Sequence, residues 1–325
     1  MATAAIAFLG MGVMGSAMAA NLAKAQTDTP IKIWNRSGDR PSIQTAIAAG
    51  AVQCHTIAEA AADASIIFTC LGDVPDVKAV LLGSDDADGS DNCVASYAPS
   101  GCLVVDTSTI GPTAARDIAQ GLRDRKQIRF LDAPISGGDI GAKKGTLTIM
   151  VGGDRADFDE ALPWLEIMGA NITLCGPVGS GQAVKLCNQV LCAGHMMSLC
   201  EALNLAKTQG LNPNLVVEVC STGAAGSWAL ANLGPKIIES DFAPGFAIEH
   251  MVKDLRLVLE NLELAAKSDG GDRPQLPFPV TQWADRCFQQ VEHMDSGNGR
   301  LQGTQAAIRA YHASPASDSL EFGSS

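Results

Sequence analysis

The sequence predicts an α/β protein in two parts: an N-terminal, doubly wound parallel sheet, then an all-α C-terminal domain joined to it by a long interdomain helix. Short apolar runs alternate with helix-like patterns from Ala4 to Leu131, one helical pattern runs from Ala183 to Thr208, and no strand-like run follows Gln182. With 325 residues the chain has room for about two domains, because single cores stop growing near roughly 250 to 300 residues. The boundary is expected at Pro177–Gly181, giving domains over 1–177 and 178–313 and a flexible tail over 314–325.

Taken in order, Ala4–Leu9 reads as a buried strand, Gly10–Gly15 as a turn and Met14–Lys24 as a helix. The strand Ile31–Trp34 then completes a βαβ unit within the ~30 residues such a unit needs. Helices follow over Pro41–Ala49 and Ala58–Ala62, a strand over Ile66–Leu71 and a helix over Pro75–Leu82. After an acidic loop, Ser84–Asn92, come a strand at Leu103–Val105, a helix at Thr113–Lys126 and a strand at Ile128–Leu131. Gly145–Val151 and Asn171–Cys175 read as strands around a helix over Asp157–Met168. Past Thr208 the helical pattern continues in Leu215–Cys220, Leu230–Ile238 and Val252–Ala266, and Lys267–Pro279 reads as a loop. No internal repeat is visible.

Composition narrows the function. A net charge of −12 and 5% aromatic residues argue against a nucleic-acid surface, which wants a basic stripe with interleaved aromatics. The stretch FLGMGVMGSAMAANLA (8–23) is apolar, and Ala17-Met18-Ala19 imitates an export cleavage site, yet no Lys or Arg stands in residues 1–5. Elsewhere no uncharged apolar run reaches the ~20 residues that span a bilayer, so a soluble, cytoplasmic protein is expected. The ten cysteines fall mostly in apolar runs without close pairing and read as small buried hydrophobes of a reducing compartment.

The same opening stretch has the G-x-G-x-x-G spacing of a dinucleotide cradle over Gly10, Met11, Gly12, Val13, Met14 and Gly15, between a strand and a helix. Its three glycines serve the turn, the approach to pyrophosphate and helix–sheet packing. About 20 residues on, an acid would hold the ribose 2′-hydroxyl of NAD, whereas an arginine suits a 2′-phosphate. The strand ends in Asn35-Arg36-Ser37, which favours NADP(H) over NAD(H), and Asp39 is the counter-evidence.

A nicotinamide cofactor brings hydride, so the chain must add a proton donor and a grip on substrate. Lys185, in GSGQAVK at the start of the long helix, is the candidate donor; Val184, Leu186 and Cys187 around it predict desolvation and a pKa below the usual ~10.4. Asn188 and Gln189 follow at i+3 and i+4, on its face. The alternative is that Lys185 snorkels to solvent. For the grip, Ser136-Gly137-Gly138 after a strand offers successive backbone N–H groups suited to a carboxylate, or is an ordinary glycine turn. No His-Asp-Ser order suggests hydrolysis, and Cys187, Cys192, His195 and Cys200 spread around the helix rather than along one stripe, so no metal is expected.

The pieces FLGMGVMGSAMAANLAK, FTCLG, VVDTSTIGP, DAPISGGDIGAKKGTLTIMVGG, GSGQAVKLCNQ, GAAGSWAL and VKDLRLVLE occur in this order, and with them the chain resembles the β-hydroxyacid dehydrogenases over nearly its whole length. That family includes 3-hydroxyisobutyrate dehydrogenase and the tartronate, glyoxylate and succinic semialdehyde reductases. The resemblance implies a Rossmann domain, Lys185 as acid/base, and Ser136, Gly137 and Gly138 on the substrate carboxylate. It further implies Thr109 and Lys253 at the nicotinamide end, Leu71 along the adenosine half and Trp228 closing over the substrate. The implied reaction interconverts small aldehyde-acids and hydroxyacids in a homodimer or homotetramer. Many members place Asn four residues after the lysine; here the fourth is Gln189 and Asn188 is third. A 6-phosphogluconate dehydrogenase-like enzyme, an imine reductase and a non-catalytic NADP(H)-binding module are the alternatives. Lys185 argues against the imine reductases, and its presence with the Ser-Gly-Gly turn argues against the module.

Overall fold

The computed structural model describes residues 5–25, 28–38, 40–83, 92–268 and 277–312. The chain opens with β1 (Ala5–Leu9), α1 (Val13–Lys24), β2 (Ile31–Trp34), α2 (Ile43–Ala48), β3 (Val52–Gln53), α3 (Ile57–Ala61), β4 (Ala64–Thr69) and α4 (Val74–Leu82). It continues with α5 (Val94–Tyr97), β5 (Leu103–Asp106), α6 (Gly111–Lys126), β6 (Arg129–Asp132), β7 (Ile135–Ser136), α7 (Gly138–Lys144), β8 (Leu147–Gly152), α8 (Arg155–Met168) and β9 (Gly169–Gly176). Helices then follow: α9 (Ser180–Thr208), α10 (Pro213–Ser221), α11 (Trp228–Ile238), α12 (Ile248–Ser268) and α13 (Pro279–Glu292), with 3-10 turns at Asp295–Leu301 and Thr304–Tyr311. Asp39, most of the acidic loop (84–91), residues 269–276 and the expected tail from 314 lie outside the described residues.

The chain forms two compact units, Met1–Asn188 with Leu257–Gln275, and Gln189–Arg256 with Leu276–Ser325. In the first, the strands run β3-β2-β1-β4-β5-β6-β8-β7, with β9 on β8. The order reverses between β1 and β4, and that switch point opens the crevice where doubly wound sheets bind ligands. Alternation of side chains builds both layers. Ile6 and Phe8 point into a core with α1, α2, α7 and α8, while Ala7 and Leu9 point into one with α3, α4, α5 and α6. Phe8 stacks on Phe68 of β4 at 6.0 Å between ring centroids.

The sheet is parallel from β3 to β6, as expected, and becomes mixed beyond it, where β9 again runs parallel to β8. β8 runs antiparallel to β6, through Asp132↔Gly152, and to β7, through Ile135↔Ile149. The connection from β6 to β8 holds the two-residue β7 and the seven-residue α7, which is stopped by Gly145 in the left-handed region (φ 66°). At about 1.5 Å per residue that helix is too short to carry the chain back across the sheet, so the next strand is laid down reversed. β3, α5, β7 and α7, all short, were not expected from the sequence. Nor was α13, although Ala284, Cys287, Phe288 and Val291 recur at helical spacing behind Pro279, and all four are buried.

In the second unit the buried residues of α9, α11, α12 and α13 form one core with the last 3-10 turn. Among the described residues, no helix is long and apolar enough to cross a membrane. Five of the ten cysteines are buried, and burial pushes the Cys102 and Cys200 thiols up to about 12 and that of Cys287 to about 11. Cys187 departs from that pattern, being exposed.

Candidate active site

The three glycines of the opening turn are not equivalent. Gly10 has φ +103°, and a Cβ there would collide with the Cys70 carbonyl; a Cβ on Gly15 would collide with the Gly10 carbonyl. Gly10 is demanded by its positive φ and the close approach of the segment after β4, and Gly15 by the packing of α1 against the end of β1. Gly12 is different: its φ is −70°, open to any residue, and nothing lies within 4 Å of where a Cβ would stand. The fold leaves this space open at the start of α1, whose first turn has neither a capping side chain nor an acid. Unsatisfied N–H groups at a helix start, beside a glycine with open space before it, fit a pyrophosphate. Gly12→Ala is expected to leave thermal stability unchanged or slightly raised while weakening dinucleotide affinity about tenfold. Titration of nicotinamide fluorescence checks it, and an unaltered affinity would remove the pyrophosphate from this turn.

The turn is braced by polar contacts. The Met11 N–H donates to Asn35 Oδ1 (2.9 Å), and the Met11 carbonyl accepts from Ser42 Oγ (2.6 Å) and Ser16 Oγ (3.1 Å). Asn35 Nδ2 donates to the Ser37 carbonyl at 2.8 Å, so Asn35 holds the end of β2 to the turn. Ser16 and Ser42 have no motif to announce them. Val13 and Ser37 are exposed and Met14 half-buried. Arg36 is 80% exposed at its side chain and pairs with Asp76 of α4 at 2.9 Å.

On the other side of the switch point, the segment after β5 is tied to β4 and to α9. Asp106 Oδ1 accepts from Thr69 Oγ1 (2.7 Å) and Ser108 Oγ (2.6 Å), and Ser108 Oγ accepts from the Leu71 N–H (2.9 Å). Thr109 follows, half-buried. Gln182, in the first turn of α9, accepts the N–H groups of Ile110 and Gly111 (3.0 Å each) and donates to the Ser108 carbonyl (2.8 Å). Asp132, at the end of β6, accepts the N–H groups of Gly179 (2.7 Å) and Gln182 (2.8 Å), one on each oxygen. In the second turn of α9 comes Lys185, 5% exposed. Snorkelling is thereby ruled out, but Val184 and Cys187 are exposed and do not enclose it. Neighbours in sequence point around a helix in different directions, so the burial comes from tertiary packing. Ser136, half-buried, ends β7 opposite Thr148, and Gly137 (φ 133°) and Gly138 (φ 63°) turn the chain into α7.

Asp132 is pushed up to about 7, chiefly by desolvation, against the pull of the two N–H groups it accepts; Asp106 adds to the rise. Its ordinary value is near 3.8, so between about pH 4 and 7 the native protein binds a proton that the unfolded chain releases. The stabilisation from that proton is full below about pH 4 and is lost as pH rises through 7. Denaturation midpoints measured across that window are expected to show a slope in the wild type that Asp132→Asn flattens. A slope that persists in the variant assigns it to another group.

In the second unit, Gln189 Nε2 donates to Asp254 Oδ2 (2.6 Å), and Lys253 Nζ pairs with Asp254 Oδ1 (2.7 Å). Asp254 is 1% exposed, so its two partners offset the cost of a buried carboxylate. Asp254 carried no role in the sequence, although it stands next to Lys253 in VKDLRL. Asn188, in the first unit, is half-buried. Trp228 opens α11 behind Ser227, whose Oγ accepts the Leu230 N–H (3.1 Å), and is 58% exposed. Burial lowers the His250 imidazole below its usual range.

Two family models cover most of the chain. That of the NAD-binding domain of 6-phosphogluconate dehydrogenase matches residues 5–176, and that of the NAD-binding region of NADP-dependent 3-hydroxyisobutyrate dehydrogenase matches 179–311. An uncharacterized oxidoreductase of Synechocystis sp. is 50% identical over 306 residues, 94% of this chain and 97% of that protein. The 2-hydroxy-3-oxopropionate reductase of Escherichia coli is 36% identical over 261 residues, 80% of this chain and 85% of its own. The structure of Mycobacterium tuberculosis 3-hydroxyisobutyrate dehydrogenase with L-serine matches at TM-score 0.77 and 29% identity, over 96% of this chain and 100% of that one. An open cradle at Gly12, a sheet with its switch point beside it and these relatives agree: the chain belongs to the β-hydroxyacid dehydrogenase family and is an NAD(P)-dependent oxidoreductase.

Proposed function

We propose that the chain is an NADP(H)-preferring reductase of small aldehydes bearing a carboxylate, such as glyoxylate, succinic semialdehyde or tartronate semialdehyde, and that it oxidises the matching hydroxyacids in reverse. The observation that supports it most is the buried ammonium of Lys185 on a helix start bonded to the segments after β5 and at the end of β6. The E. coli relative, whose named substrate is a three-carbon aldehyde-acid, supports the substrate class.

When bound, the nicotinamide supplies hydride. Lys185 Nζ gives its proton to the substrate oxygen as negative charge grows there, and takes it back in oxidation. Asn188 and Gln189 assist the lysine from its own helix. The Ser136 hydroxyl and the N–H groups of Gly137 and Gly138 hold the carboxylate, and Trp228 covers the substrate from water. Gly10 and Met11, whose N–H groups are spent on the Trp34 carbonyl and on Asn35, shape the turn, and the N–H groups of Gly12, Val13, Met14 and Gly15 at the start of α1 would hold the pyrophosphate. Arg36 and Ser37 would hold the 2′-phosphate, with Asn35 as their brace. Leu71 would serve the adenosine half of the cofactor, and Thr109 and Lys253 its nicotinamide end. Residues 1–177 are the cofactor domain and 178–313 the substrate and oligomerisation domain of a cytoplasmic homodimer or homotetramer.

Steady-state rates for a panel of two- to four-carbon semialdehydes and hydroxyacids, with NADPH/NADP and NADH/NAD in parallel, test the reading. Turnover of at least one aldehyde-acid with a preference for NADPH is expected. Tight NADPH binding with no turnover on any of them would mark a binding module instead.

A further inference from the structure

Gln182 is 0% exposed, and its side chain makes three hydrogen bonds to the backbone of the segment between β5 and α6. Its Oε1 takes the N–H groups of Ile110 and Gly111, the start of α6, where Ile110 itself makes no capping bond. Its Nε2 donates to the carbonyl of Ser108, whose hydroxyl in turn holds the Leu71 N–H and Asp106. The Gln182 backbone N–H is taken up separately by Asp132. The side chain therefore does nothing for the helix that carries it and joins that helix to another segment. The two sides of the joint are those the proposed reaction must align: Thr109 lies between Ser108 and Ile110 on one side, and Lys185 follows three residues after Gln182 on the other.

We propose that Gln182 is a positioning residue, which locks the first turns of α9 to the β5–α6 segment and so holds Lys185 at the height and rotation that proton transfer needs. The inference rests on the reading of Lys185 as proton donor. Three residues along a helix advance it by only about 4.5 Å, so a tilt or slide at Gln182 passes to Lys185 with little damping. A misplacement of about 1 Å is enough to cost on the order of 100-fold in rate. The grip on the carboxylate, Ser136 to Gly138, stands at the junction of β7 and α7, outside the two segments that Gln182 joins, so affinity for the substrate is expected to be spared.

Gln182→Met, close in volume and without hydrogen bonds, is expected to lower kcat about 10- to 100-fold while the aldehyde KM changes less than about threefold. Gln182→Glu adds a signature that a packing role would not produce. Protonated, its carboxyl group accepts the two N–H groups and donates to the Ser108 carbonyl as the amide does. Ionised, it opposes that carbonyl, and the charged groups on the joined segments are Asp132, which takes the Gln182 backbone N–H, Asp106, which takes the Ser108 hydroxyl, Arg116, close to Gly179, and Lys185, one turn on. Its kcat relative to wild type is expected to recover towards pH 5.5 and to fall at least about tenfold by pH 8.5. The third arm repeats Gln182→Met in a Lys185→Ala background, where it should cost less than about twofold because the group it positions is gone.

The same factor in both backgrounds, or no loss of kcat at all, overturns the positioning role and leaves the assignment of Lys185 intact. Full turnover by Lys185→Ala alone overturns that assignment and this inference together. If Gln182→Met fails to fold, a Gln182→Glu/wild-type ratio that stays flat with pH overturns it.

Discussion

Lys185→Ala is expected to lower turnover at least about 100-fold, ~2.7 kcal/mol of lost transition-state stabilisation, with NADPH affinity within about twofold of wild type. The basis is placement. Lys185 is 5% exposed, on a helix whose first turn is bonded to Asp132 and, through Gln182, to the segment after β5. A proton donor there need not reorganise when the substrate oxygen becomes negative, and in a dry site its charge is felt more strongly. The dinucleotide turn, by contrast, is built from β1, α1 and the end of β2, separate elements from the helix that carries Lys185. Lys185→Met, which keeps the apolar stem, separates proton transfer from packing and should lose as much as the alanine variant. Single-turnover hydride transfer and nicotinamide fluorescence titration measure the two quantities. A parallel collapse of cofactor binding would move Lys185 from proton donor to cofactor contact.

Arg36→Asp is expected to shift the ratio of kcat/KM for NADPH over NADH by about 100-fold towards NADH. Arg36 stands just past the end of β2, where the ribose of a bound dinucleotide is read in this type of sheet. It is largely exposed and pairs with the partly exposed Asp76 at 2.9 Å. Exposed pairs of this kind hold by less than about 1 kcal/mol, whereas a 2′-phosphate brings close to two charges and fits the guanidinium fork. The phosphate therefore wins the arginine from Asp76. Replacing Arg36 by aspartate puts a carboxylate beside Asp76, repels the phosphate and offers an acceptor to a free 2′-hydroxyl. Asp76→Asn is the counterpart: with the competitor gone, NADPH affinity should rise a few-fold and NADH affinity stay put. An unchanged ratio in Arg36→Asp would end the phosphate-reading role.

Strand and helix from Ala5 to Asp132 were legible because each signal is local: apolar runs between turn glycines, and helices with apolar residues at helical spacing. The same local reading failed where elements are short, as at β3, β7 and α7, since two to seven residues carry too few repeats to show a period. Nor does it give the direction of β8, which depends on how far α7 can carry the chain. For the candidate site, the glycine turn and Lys185 stood out as motif residues. Gln182 and Asp132 lay inside quoted motifs without a role, because nothing in GSGQAVK or DAPISGG says that one side chain reaches Ser108, 74 positions away, or that the other takes N–H groups 47 and 50 positions away.

By itself the sequence determined a doubly wound sheet followed by helices, a dinucleotide turn at Gly10–Gly15 and membership of a hydride-transferring family, since these depend on periodicity and on residue types at short, set spacings. Only the tertiary structure decided that Gly12 alone of the three turn glycines faces open space, that Arg36 is shared with Asp76, and that Lys185 is buried on a helix tied down by Asp132 and Gln182. Those are contacts between distant parts of the chain. Several polar side chains could satisfy each buried N–H group equally well, and the packing of α9 against the sheet selects which one does.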